Sequence, residues 1–224
     1  MSLNKSIGQM YPWCTHTINF IKGWCKHACR YCYIIAMAKR YKRKQRKPYL
    51  DEKEFRTNLG EGKTIFVGSS IDMFAKGIPN KWIKKVLAYC NSFPNNTYLF
   101  QTKNPKRYEE FAFPENTILG VTIESNKDYG VSKAPTPRNR YSWMLRLKDW
   151  PMEKMLSLEP LLDFDLDIFV AWIKMIGPSF VSIGADSKNS KLPEPDPKKV
   201  KALIKELKKF TKVKTKDNLR RLLK

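Results

Sequence analysis

Cys25-Lys26-His27-Ala28-Cys29-Arg30-Tyr31-Cys32 crowds three thiols into eight positions, with gaps of three and two residues. Thiolates at that density are soft ligands, suited to an iron–sulfur cluster or to zinc. Three protein ligands leave one iron of a 4Fe-4S cube without a thiolate, and a reactive cluster needs such an open position. A zinc site completed by Cys14, His16 or His27 is the competing reading, although zinc prefers four ligands from paired knuckles and no second knuckle appears in the sequence. The five cysteines are odd in number and unevenly spaced, which argues for metal ligation over a disulfide framework and for a reducing cytoplasm. Cys90 falls on an apolar helical stripe with Trp82, Val86 and Leu87, a usual place for a packing cysteine. Cys14 stays ambiguous, structural or a hydrogen-atom donor.

Ligands on one loop need elements that hold the loop over a pocket. Short β-branched and aromatic runs recur, each followed by a polar turn and a stretch of helical periodicity, the pattern of βα units around a parallel sheet. It predicts strands at 17–21, 64–67, 97–101, 117–123, 154–158 and 180–183, with a further one near 211–215. Helices are predicted at 33–42, 79–92, 105–111, 141–148, 165–175 and 197–210, with Pro79, Pro105 and Pro197 at first helical positions, where no N–H is needed. Six such units with right-handed crossovers make an α/β fold, a full or partial (β/α)6 barrel in a single domain over 1–224, its core at about 15–210.

Sites in barrel folds sit at the C-terminal ends of the strands. There the chain places Gly68-Ser69-Ser70-Ile71-Asp72, Thr102-Lys103, Glu124-Ser125, Glu159-Pro160 and Gly184-Ala185-Asp186. A turn with an Asp cap would resemble the first of these, and Lys103 with Glu124 or Glu159 reads equally as a structural ion pair. With His16 and His27 the only histidines, Lys103 or a carboxylate such as Glu159 would have to serve in acid–base catalysis. Loops 125–140 and 186–196 follow strands on that face and are candidate lids.

The cysteine spacing, followed by aromatic Tyr33 and placed after a first strand, resembles the radical S-adenosylmethionine (SAM) superfamily. That resemblance implies a 4Fe-4S cluster on Cys25, Cys29 and Cys32 whose open iron chelates SAM. It implies reductive cleavage of SAM to a 5′-deoxyadenosyl radical, with the electron coming from an external donor of flavodoxin or ferredoxin type. By the same resemblance Tyr31 lies near the adenine, Ser69, Ser70 and Asp72 form the motif that bonds the SAM amino group, Glu124 or Asp186 contacts the ribose, and Glu159 meets SAM or substrate.

Ser69-x-x-Asp72-x-Phe74, Thr102-Lys103-x-Pro105, Gly120-Val121-Thr122-x-Glu124 and Ser157-Leu158-Glu159-Pro160-Leu161-Leu162 together resemble a radical-SAM-like family of phages and bacteria whose activity is unassigned, over about residues 20–186. The chain departs from it at Gly184-Ala185-Asp186, where that family has Gly-Gly-Glu, and in a shorter cysteine loop. A more distant likeness, in the cysteine loop, Asp72 and Thr102-Lys103, is to spore photoproduct lyase, a DNA-repair radical SAM enzyme.

Lysine and arginine number 43 against 21 aspartates and glutamates, a net charge of +22. Thermophilic adaptation adds Lys and Glu together, and here the acids are missing, so an anionic partner is the better reading, with nucleic acid foremost. Lys39-Arg40-Tyr41-Lys42-Arg43-Lys44-Gln45-Arg46-Lys47 holds seven cations, and residues 198–224 hold twelve against two acids. The first run follows a helix that leaves the cysteine loop, so it is expected toward the opposite pole or outer wall. Lys103, Lys106, Arg107, Arg138, Arg140, Lys188 and Lys191 lie closer to the mouth and suit an anionic substrate better. No apolar run reaches membrane-spanning length and the N-terminal stretch has no apolar signal segment, so a soluble cytoplasmic protein is expected. Two other readings are a nucleic-acid-binding module with a purely structural metal, and a radical SAM enzyme acting on a peptide or small metabolite.

Overall fold

A computed structural model describes residues 3–6, 13–42, 44 and 46–224; Arg43 and Gln45 of the first basic run lie outside the described residues. In chain order its strands are β1 (Asn4–Lys5), β2 (His16–Ile18), β3 (Ile21–Lys22), β4 (Tyr49–Leu50), β5 (Thr64–Val67), β6 (Thr97–Thr102), β7 (Thr117–Thr122), β8 (Glu153–Leu158), β9 (Phe180–Ile183) and β10 (Lys212–Thr215). The helices are α1 (Tyr33–Arg40), α2 (Asn80–Asn91), α3 (Pro137–Arg146), α4 (Leu166–Ile176) and α5 (Pro197–Leu207). One sheet runs β1-β2-β5-β6-β7-β8-β9-β10, parallel from β2 to β10, with β1 antiparallel at one edge and β10 at the other. The sheet is therefore an open, partial barrel in a single domain.

Each strand is apolar on both faces because both are covered. On one face Ile65, Val67, Tyr98, Phe100, Leu119, Val121, Leu156, Leu158, Val181 and Ile183 join a core with Ile83 and Val86 of α2, Phe169 and Ile173 of α4, and Val200 and Leu203 of α5. On the other, Phe66, Leu99, Ile118, Met155 and Phe180 close on Cys14 and Trp13 as a second, inner cluster. Burying side chains of this size contributes about 1.5–3 kcal/mol each. Successive strand residues point to opposite faces, so two positions beyond Leu99 comes Gln101, and two beyond Met155 comes Ser157. The inner face turns from apolar to polar toward the C-terminal ends, where Gln101, Thr122 and Ser157 line a cavity.

Four expectations change. The strand predicted at 17–21 divides into β2 and β3, the latter pairing with β4 in a separate two-stranded ribbon. The predicted helix at 105–111 is a 3-10 turn, Pro105–Glu110, pinned under the sheet by Tyr108, whose hydroxyl donates toward Phe100 O at 2.8 Å and Gly120 O at 2.7 Å. The helix predicted from 141 starts at Pro137, after Thr136 caps it by accepting from Asn139 N. Pro79 is the capping residue of α2 rather than its first helical one. The strand foreseen near 211–215 is present as β10. Among the described residues no helix is long and apolar enough to cross a membrane.

Candidate active site

The cysteine loop leaves β3 at the polar pole of the sheet. Trp24 N donates to Arg46 O at 3.1 Å, and a Cβ on Gly23 (φ +111°) would stand 2.6 Å from Lys47 O, so only glycine permits this approach. The end of the first basic run, expected toward the opposite pole or outer wall, thus brings its Arg46–Lys47 backbone beside the entrance of the cysteine loop. Ala28 (φ 45°) turns the loop between the first two cysteines, a left-handed conformation that costs a residue with a Cβ about 1 kcal/mol. Cys32 N then donates to Cys29 O, and Cys32 is the capping residue of α1.

Loop 125–140, a candidate lid by sequence, yields its last residues to α3 and is bound to the cysteine loop by two main-chain bonds, Arg30 N to Val131 O at 2.9 Å and Lys133 N to His27 O at 2.6 Å.

Cys25, Cys29 and Cys32 all line one cavity of about 490 Å³, together with Tyr31, Ser69, Ser70, Asp72, Lys103, Glu159 and Asp186. Of the eleven site residues expected from sequence, only Glu124 is not on its wall. Burial pushes the Cys25 thiol up to about 11 and raises that of Cys29, so these sulfurs need a positive charge to stay ionised. Among the described residues no three His, Cys, Asp or Glu side chains converge on a single ion. Cys14 is buried in the inner cluster, His16 sits at the start of β2 beside Thr15, and His27 is bonded to Asp72. A single tetrahedral ion therefore lacks its donors among the described residues. Three thiols spread along one cavity wall are the donor type and number a cubane would take, since each of its thiolates binds a different iron.

Asp72 ties the cysteine loop to the sheet. Its carboxylate accepts from His27 Nε2 at 2.8 Å, from Thr102 Oγ1 at 2.8 Å, from Lys103 N at 2.7 Å and from Phe74 N at 3.0 Å. Burial alone would raise its pKa, but the His27, Lys103 N and Thr102 bonds hold it below the ordinary carboxylate value.

Glu124 is buried away from the cavity. It accepts from Arg140 Nη1 at 2.6 Å and from the Tyr31 hydroxyl, and Lys103 Nζ stands 3.9 Å away, so the Lys103–Glu124 pair is real but secondary. Arg140 also reaches Thr122 O and Pro135 O, while Arg107 is spent on Ala75 O and Asn80. Both arginines are buried, which removes them from the cations available to an anion at the mouth. The Lys103 ammonium lies 5.3 Å from the Tyr31 ring centroid.

Asn19, at the end of β2, clasps the turn after β5. It donates to Ser69 Oγ at 3.1 Å and accepts from Ser70 N at 2.8 Å, while Gly68 (φ +85°) makes the bend. Across the cavity, Glu159 pairs with Lys216 at 2.5 Å and accepts from Asn218 Nδ2 at 3.3 Å. A Cβ on Gly184 would meet Glu159 Oε1 at 2.7 Å, so the glycine makes room for the carboxylate. Asp186 accepts from Lys188 N, Ser190 N and Ser190 Oγ, which folds loop 186–190 onto its own carboxylate.

Sequence reasoning missed Asn19, Lys216 and Asn218 and did not connect His27 to Asp72. Asn19 and Lys216 carried one usable signal, a polar residue directly after a strand. Lys216 and Asn218 were read only as members of a basic segment, yet both line the cavity.

A family model described as a protein of unknown function (DUF5131) matches residues 9–190. No curated protein matches. The fold is similar to that of a spore photoproduct lyase double mutant with bound AdoMet and dinucleoside spore photoproduct, at TM-score 0.67 and 10% identity over 96% of this chain and 80% of that one. Spore photoproduct lyase complexed with dinucleoside spore photoproduct gives TM-score 0.65 and 11% identity over 94% and 78%. Streptococcus suis SuiB bound to precursor peptide SuiA gives TM-score 0.60 and 10% identity over 89% of this chain and 48% of that one. The shared architecture is the radical-SAM partial barrel.

Proposed function

The chain belongs to the DUF5131 family, and we propose that it is a cytoplasmic radical SAM enzyme acting on a nucleic acid or other anionic substrate. One observation carries this reading: three thiols of a single loop, and the polar ends of the strands around it, line one cavity of about 490 Å³. Cys25, Cys29 and Cys32 would hold a 4Fe-4S cluster. With SAM on its open iron, the cluster would supply reductive cleavage of SAM to a 5′-deoxyadenosyl radical, the electron coming from a flavodoxin- or ferredoxin-type donor.

The chain's own residues then divide the work. Ser69, Ser70, Asp186 and the Tyr31 ring lie on the cavity wall and would serve as SAM contacts. Asp72 and Glu124 act one step back, Asp72 by fixing the cysteine loop and Glu124 by holding Tyr31 and Lys103. Lys103 and Glu159 are the charged groups on the wall that can hold a proton or orient substrate, the latter poised by Lys216.

A net charge of +22 favours an anionic substrate. So does the fold neighbour that binds a dinucleoside; the neighbour that binds a precursor peptide supports a peptide instead. Anaerobic reconstitution with iron and sulfide tests the proposal: a 4Fe-4S spectrum and dithionite-dependent conversion of SAM to 5′-deoxyadenosine are expected. Their absence would falsify the enzyme assignment, and stimulation by a peptide but not by DNA or RNA would overturn the substrate class.

A further inference from the structure

Lys26, Lys76 and Lys133 of three loops and Lys106 of the Pro105–Glu110 turn, all exposed, line one groove of about 730 Å³ outside the cavity. Lys26 belongs to the cysteine loop itself. Its ammonium rests beside Gly77 (φ +88°), 2.9 Å from the point a Cβ there would occupy. The one carboxylate in the groove, Glu110, faces Arg107 Nε at 3.4 Å and Asn80 Nδ2 at 3.0 Å. Among the described residues none of the four lysines has a carboxylate partner.

Among the described residues His27 alone is shared by groove and cavity, and it is 3% exposed and bonded to Asp72. The groove therefore backs onto the cysteine loop without opening into the cavity. A substrate whose reacting atom must enter the cavity gains nothing from binding here. A partner that needs only to approach the cysteine loop from outside gains a short path.

We propose that this groove docks an acidic one-electron carrier protein of flavodoxin or ferredoxin type. The inference rests on the radical SAM reading, and the step it serves is simple: the carrier loses one electron and the cluster gains it, with no atom or proton transferred. Four ammonium groups without a carboxylate partner, one of them resting 5.5 Å from the Trp143 ring centroid, suit such a partner, because opposite charge steers encounter while leaving a weak, quickly dissolved complex. Electron-transfer interfaces are correspondingly small, below about 1,200 Å². Nucleic acid fits less well. Among the described residues the groove lining holds no Phe, Tyr or Trp, the Trp143 ring beside Lys106 is taken by the Lys106 and Arg146 cations, and the groove's one guanidinium is bonded to Ala75 O and Asn80.

The test compares the reconstituted protein with a K26E/K76E/K106E/K133E variant and with the milder four-fold Lys→Gln variant, which guards against misfolding of the first. Binding of a bacterial flavodoxin, a bacterial ferredoxin and a single-stranded oligonucleotide is measured across a salt series, alongside the rate of cluster reduction by each carrier and by dithionite. Carrier binding and carrier-driven reduction are expected to fall at least about tenfold and to weaken with salt, while dithionite reduction stays unchanged and oligonucleotide binding falls clearly less than carrier binding. The proposal is overturned if both carriers bind and reduce as before, if only oligonucleotide binding is lost, or if carriers and oligonucleotide weaken equally. Failure of dithionite to drive SAM cleavage in the unmutated protein would instead sink the enzyme reading, and the binding comparison separates the two.

Discussion

His27 Nε2 stands 2.8 Å from Asp72 Oδ2, and because a carboxylate only accepts, the imidazole carries its proton on Nε2 and donates it. Two residues past Cys25, the cysteine loop is thereby fastened to the turn that follows β5. The same carboxylate accepts from Lys103 N at the end of β6, so three neighbouring elements share one anchor.

Asp72→Asn should release that anchor. The amide would point a donor at a cluster of donors, costing about 2–4 kcal/mol. The folded carboxylate titrates below its ordinary 3.8, so its contribution is present above that value and is lost as pH falls through the depressed one. Urea unfolding from about pH 7 down to about pH 3 should therefore show a steeper acid loss in the natural protein than in the variant. Parallel curves would mean that the pKa is not depressed.

Single Ala substitutions at Cys25, Cys29 and Cys32 are expected to abolish cluster assembly, read as iron content and visible absorbance after anaerobic reconstitution. Cys14→Ala and Cys90→Ala should keep the cluster, since both thiols are buried in apolar clusters. Cys90→Ala should lower stability by about 1 kcal/mol, because a fully buried side chain loses an atom and leaves a void.

Gly184→Ala would place a methyl group 2.7 Å from Glu159 Oε1 and push that carboxylate off Lys216. SAM cleavage should fall by at least about tenfold, an effect of misplacement near reacting groups, while the melting temperature drops only a few degrees. Unchanged activity would remove Glu159 from the site.

Lys216→Met and Glu159→Gln, singly and together, form a double-mutant cycle. Each single change removes one charge of the pair, which is expected to show coupling of about 1–2 kcal/mol in unfolding free energy, discounted because Glu159 is partly exposed. Additive effects would show that the 2.5 Å contact contributes nothing.

Arg140→Met leaves Glu124 buried with Tyr31 and a distant Lys103 as its remaining side-chain partners. Losing one partner of a buried charge pair costs about 3–5 kcal/mol, readable as a large fall in melting temperature. A small change would mean that Glu124 takes up a proton when Arg140 is gone.

The strands were legible because period two and β-branched runs are local signals, and their order fixed which loops share a pole. Ser69, Asp72, Lys103, Glu159 and Asp186 could be placed at one mouth on that basis alone. Their partners could not. Glu159 meets Lys216 across 56 intervening positions, and Glu124 meets Arg140 through a helix that starts at Thr136–Pro137, earlier than its periodicity suggests. Which carboxylate faces the cavity and which turns away depends on long-range packing that no periodicity encodes. The same holds for Arg46, where the return of a charged run depended on a close approach at Gly23.

The two-faced strands also bear on how this scaffold can change. Leu119, Val121, Leu156, Leu158, Val181 and Ile183 hold the sheet to its helices, while Gln101, Thr122 and Ser157 shape the cavity from the opposite face. Substitutions that reshape the chamber therefore fall on positions that do not carry the outer core. Chemistry can drift along alternate residues of a strand while the residues between them keep the architecture, which makes new specificity accessible by single steps without passing through unfolded intermediates.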